Sequence, residues 1–195
     1  MIGLILGLIL FLGIHLARVV APEFRANTIA TRGNGLWQGL YTAASLAGFG
    51  LIIWFYNDAV ASGPYLYEPP VWMKHINALL MLFASISMGV YAFPSGRLKV
   101  ALKHPMLLAV KIWALGHLLA NGSLAAILLF GSFMAWAVVV RISLKKREQR
   151  GEAKLPVAGD VKWDVFAILT GLALYALFMG GLHIWLFGVS PIAMS

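Results

Sequence analysis

The sequence predicts an all-α protein, a polytopic transmembrane bundle of about six helices that makes one domain over residues 1–195. Three observations predict it. First, 61% of the residues are hydrophobic, 11% are charged and mean hydropathy is +0.86, too little polar side chain to cover a domain in water. Second, the apolar residues gather into six runs near the roughly 17–25 residues that a helix needs to cross a bilayer. Third, basic residues crowd alternate breaks between those runs.

The first run, residues 2–21, has the apolar character of a signal peptide but no basic leader, and it carries His15 and Arg18. It reads as a retained helix. Pro22 and Gly33-Asn34-Gly35 separate it from the second run, 36–56. Gly63-Pro64 and Pro69-Pro70 precede the third, 71–93, and Pro94-Ser95-Gly96 the fourth, 105–120. Asn121-Gly122 turns directly into the fifth, 123–142, which predicts a tight hairpin, and the sixth covers 163–187. Every break is built from turn formers.

Arg25 and Arg32 lie in the first break, Arg97, Lys99 and Lys103 in the third, and Arg141, Lys145, Lys146, Arg147, Arg150, Lys154 and Lys162 in the last. The loop 57–69 holds only the acids Asp58 and Glu68. By the positive-inside rule the basic loops are cytoplasmic and both termini lie on the opposite side. The net charge of +8 therefore sets topology, and lipid, not nucleic acid, is the expected partner. The basic stretch after Arg141 reads as an ordinary cytoplasmic loop between helices in preference to a lipid-headgroup or partner site. Cysteine is absent, which excludes disulfides, thiolate ligands and a cysteine nucleophile.

Ionisable side chains on apolar runs are costly in lipid, so each is a candidate site. His15 and Arg18 are one turn apart on a face that must avoid lipid, with Arg18 turned inward. Trp113, His117 and Asn121 form a stripe at helical spacing. Such a stripe holds a flat cofactor, or else His117 makes an ordinary interhelical hydrogen bond. His104, before Pro105, reads as a cap or headgroup contact. Lys111 calls for a polar cavity or a carboxylate partner, such as a substrate acid or a propionate. His75, His117 and His183 lie at depths that let them converge near the outer leaflet, and Gly180-Gly181 beside His183 would admit a neighbouring helix or a planar ring. The competing reading of His183, as part of an interfacial belt with Trp185, is the preferred one. Several histidines with no cysteine and few acids suit bis-histidine haem better than zinc or a hydrolytic site. Zinc-protease, phosphate-loop, serine-elbow and inverted-repeat signatures are absent.

His15-Leu16-Ala17-Arg18, His104-Pro105-Met106-Leu107, the block from Trp113 to Gly122, Phe130-Gly131-Ser132-Phe133 and the closing segment from His183 to Pro191 resemble the NnrU family over nearly the whole chain. That family looks related to plant and cyanobacterial 15-cis-zeta-carotene isomerase, a membrane enzyme with haem b between two histidines. The resemblance implies haem b, with axial ligands at His117 and His15, while helix depth offers His75 and His183 as alternatives for the second ligand. Trp113, Asn121, Lys111 and Arg18 would line the cofactor. It also implies a bacterial inner-membrane protein with both termini periplasmic, associated with nitrite and nitric oxide metabolism in denitrification. The isomerase carries a cysteine one turn before its second histidine; Ala114 stands there in this chain, so a ligand switch to thiolate has no sulfur to use.

Three functions follow as expectations. The first is a haem b protein serving nitrogen-oxide respiration, with a respiratory or denitrification complex as partner. The second is a haem-dependent cis-trans isomerase of a lipophilic, carotenoid-like polyene. The third is a cofactor-free assembly protein for a respiratory complex, in which the histidines only join helices.

Overall fold

The computed structural model describes residues 1–191 and is all-α, as the composition predicts. In chain order its helices are α1 (Ile2–Val20), α2 (Pro22–Arg32), α3 (Asn34–Ser62), α4 (Val71–Ala92), α5 (Arg97–Leu102), α6 (Pro105–Ala120), α7 (Leu124–Gln149), α8 (Lys162–Leu177) and, after a π-helical turn at Phe178–Leu182, α9 (His183–Phe187). Among the described residues five stretches are long and apolar enough to cross a membrane: α1, α3, α4, α7 and the run Lys162–Phe187. The sixth expected span, α6, has 16 residues and a length of about 24 Å. The protein is a multi-pass membrane protein.

The helices group into two compact units. The first comprises residues 1–67 and 123–143. Here α1 packs along α3, burying Leu4, Leu8 and Leu12, one from each successive turn, with Ile52 and Ala59. Their backbones come close at Gly7 and Gly48, where a Cβ would run into the chain at Ile52 and Phe11 respectively. Lipid is as apolar as leucine, so such contacts depend on shape and small residues more than on hydrophobic drive. Beyond α3 the chain stays extended, and the Leu124 N–H donates to the Pro64 carbonyl at 2.9 Å while Tyr65 pairs with Ser123.

The second unit comprises residues 68–122 and 144–195, of which 192–195, the end of the expected single domain, lie outside the described residues. Its centre is α4, packed on α6 and α8. A side chain at Gly89 would strike the Ala167 carbonyl, and one at Gly116 would strike Asn77 of α4. Small residues again set the spacing.

Two helices occupy segments read from the sequence as breaks. Pro22 at the first helical position, Glu23 in the first turn, Arg32 in the last and Gly33 at φ 86° start and stop α2 by ordinary capping rules. It is too short to cross the membrane and buries none of its residues. The expected turn Gly33-Asn34-Gly35 shrinks to Gly33, since α3 begins at Asn34 and runs to Ser62, six residues past the expected end. In the third break, α5 begins where the Arg97 and Leu98 N–H groups donate to the Asp164 carboxylate at 2.9 and 3.0 Å. Asp164 is only 9% exposed, and these two backbone donors offset the cost of its burial.

Candidate functional site

Among the described residues of the second unit, two histidines share a ring contact. His117 lies on α6, one turn from its end, and its Nδ1 is 2.9 Å from the Trp113 carbonyl. His183 opens α9, and its Nδ1 is 2.7 Å from the Val189 carbonyl. A carbonyl oxygen can only accept, so Nδ1 carries the proton in each ring and the lone pair of the neutral imidazole sits on Nε2. The two ring centroids are 6.5 Å apart with planes 19° from parallel.

The chain reaches this arrangement through an irregular segment. A π-helical turn separates α8 from α9, and within it Gly181 has φ 137°, a backbone conformation that a side chain makes costly. The paired glycines are expected to admit a neighbouring helix or ring. Beyond their own stretch of chain, no described residue comes within 4 Å of where a Cβ would stand on either, so no helix packs there and the space stays open, while Gly181 serves the kink that re-aims His183. Val189 reaches the imidazole only because α9 ends at Gly188, in the left-handed conformation, and turns the chain back.

The other sequence candidates are distributed as follows. Trp113 packs its ring 5.5 Å from that of His117 besides supplying the carbonyl. The Asn121 side-chain amide donates to the His117 carbonyl at 2.9 Å, closing the end of α6. Lys111 is half-buried on α6, and His75 is exposed near the start of α4. His15 and Arg18 belong to the first unit and line one cleft there, as their shared helix face predicts. His15 uses the same device as the pair above, with Nδ1 2.6 Å from the Phe11 carbonyl.

His104 corrects an expectation. It stands at the N-cap of α6 without capping it, and Nε2 lies 2.5 Å from Glu148 near the end of α7, with side chains 19% and 11% exposed. Glu148 went unremarked in the sequence because it sits inside a basic run. Asp164 was missed too, although an acid three residues into an apolar span falls under the rule that singled out the histidines.

Among the described residues no group of three or more His, Cys, Asp or Glu could hold a metal ion. A bare zinc or iron would thus find too few ligands. The His117–His183 pair instead suits a metal that brings its remaining donors with it. Haem fits this donor set, because its macrocycle supplies four nitrogens and asks the protein for two axial ligands. Nδ1–H groups held by carbonyls are the usual outer support of such ligands.

A family model described as NnrU protein matches residues 3–191. No curated protein and no solved structure matches the chain. Because the match takes in all of the crossing helices and both members of the histidine pair, we conclude that this multi-pass membrane protein belongs to the NnrU family.

Proposed function

We propose that the protein binds haem b in the second unit through His117 and His183, and that it serves nitrite and nitric oxide metabolism in the bacterial inner membrane. The observation that carries the haem assignment is the near-parallel imidazole pair with both Nδ1–H groups committed to carbonyls. The carbonyls fix the tautomer that presents Nε2 and make each ring a stronger donor to a metal. Bound haem supplies a one-electron redox centre. Trp113 shields one side of His117, and Phe187 packs edge-on against His183 at 5.0 Å, keeping both rings in apolar surroundings. Held by both His117 and His183, the group would serve electron transfer to a respiratory partner rather than direct capture of a small gas. The role in nitrogen-oxide metabolism rests on family membership, and the orientation, with basic loops cytoplasmic and both termini periplasmic, on the positive-inside rule.

The test is an optical spectrum of the detergent-purified full chain, oxidised and then dithionite-reduced, for the wild type and for single alanine variants at His15, His75, His117 and His183. Loss of the haem bands in His117→Ala and His183→Ala, with retention in the other two, is the expected result. Loss in His15→Ala and retention in His183→Ala would move the second ligand to His15, as the resemblance implies. A wild type that stays colourless after haem-supplemented expression overturns the proposal and favours the assembly role.

A further inference from the structure

Independently of haem, the first unit contains a cleft of roughly 470 Å³, where the end of α1, α2 and the start of α3 meet. It combines an apolar floor at Ile14 with His15, Arg18, Arg25, Gln38 and Tyr41, and no acid is among its lining residues. Arg25 lies over the ring of Trp37, 5.8 Å from its centroid, and Phe24 meets the same indole edge-on at 6.4 Å. By these contacts α2 folds over Trp37, which is only 6% exposed, and directs a guanidinium into the cleft. His15, tilted against Phe11 and Tyr41, has Nδ1 committed to the Phe11 carbonyl and so presents Nε2. The first turns of α3 leave Leu36 and Leu40 exposed, an apolar surface beside a basic cleft.

We propose that this cleft binds the phosphate head group of an anionic membrane lipid, with the acyl chains along Leu36 and Leu40. Arginine's planar fork pairs with two phosphate oxygens at once, and the two arginines enter from different helices, so the ligand would bridge α1 and α2. The volume falls in the range of a small-molecule site. Phosphate chemistry is shared with the free ion, but the adjoining leucines favour a ligand carrying chains.

The experiment measures binding of short-chain phosphatidylglycerol, short-chain phosphatidylcholine and inorganic phosphate to the full chain by native mass spectrometry from detergent. The wild type is compared with Arg18→Gln/Arg25→Gln and with Lys146→Gln as a control on the basic end of α7. Phosphatidylglycerol should bind the double variant roughly thirtyfold more weakly than the wild type, the loss expected for two basic residues at an anionic lipid. It should bind the control unchanged. Equal binding to wild type and double variant, or equal binding of both lipids to the wild type, overturns the proposal. Displacement by inorganic phosphate at matching concentration overturns the lipid assignment in favour of a free anion. If the double variant does not fold, hydrogen exchange of residues 22–42 in the wild type decides instead: protection by phosphatidylglycerol but not phosphatidylcholine supports the site, and no protection overturns it.

Discussion

At His15, His117 and His183 one small device recurs, a ring nitrogen proton given to a carbonyl on the same stretch of chain. For His15 and His117 that carbonyl is one helical turn earlier; for His183 it comes from the turn after α9. The difference would make His183 the more fragile of the two proposed ligands. Gly181→Ala forces a side chain onto φ 137° at a cost of about 1–3 kcal/mol. The expected outcome is lower haem occupancy in the purified protein, while Gly180→Ala, with open space around it, leaves occupancy unchanged. Glu148→Gln should lower the detergent melting temperature, because a carboxylate held 2.5 Å from His104 is replaced by a neutral amide, for a loss of about 1–3 kcal/mol. The spacing of Trp113, His117 and Asn121 was legible in the sequence. That Asn121 closes its own helix was not, since an amide can cap a helix or reach a ligand from the same position.

Among the elements, the crossing helices were readable because a run of apolar residues near the bilayer's thickness has few other uses. The short helices were not. Pro22 and Gly33 read as breaks, yet a proline at the first position and a glycine just past the last are also how a helix begins and ends, and α2 fills the interval between them. Nothing in the local sequence of α5 announces it, because its start is held by Asp164, 67 residues from Arg97 in the chain. Asp164→Ala removes the acceptor for two backbone donors, and hydrogen exchange should then rise across residues 97–102 first, ahead of α4 and α8. The loop from Arg150 to Lys162 has its own pH response. Hydrogen bonds from Arg150 to Glu152 and from the Lys162 backbone to Asp160 hold both carboxyls below their ordinary range. Their stabilising contribution is therefore complete at neutral pH, above the unfolded values, and is lost as pH falls through the lowered folded values. Exchange in this loop should accelerate only in that acidic window, by a small and salt-sensitive amount, since both groups are exposed.

For the whole molecule, composition and charge distribution carried the class, and the family match agrees with the resemblance seen in the residues. Which histidines meet was not legible, because helix depth left both His75 and His183 as partners for His117 while the family resemblance pointed to His15. The kink at Gly181 that aims His183 has no periodic signal to read. Reporter fusions at residues 60 and 150 test the proposed orientation: a periplasm-active reporter should work at the first position and fail at the second. One consequence concerns the surrounding membrane. At about 24 Å, α6 is shorter than a hydrocarbon core of about 30 Å, and Leu115, two residues before His117, is 45% exposed. Where α6 crosses the membrane, as the six-run reading of the sequence has it, acyl chains beside that face would have to shorten or tilt to meet it, leaving a dimple in the leaflet nearest the histidine pair. Bilayer thickness then becomes a control on how near water and small solutes come to His117, and the protein should be retained preferentially in thinner membrane.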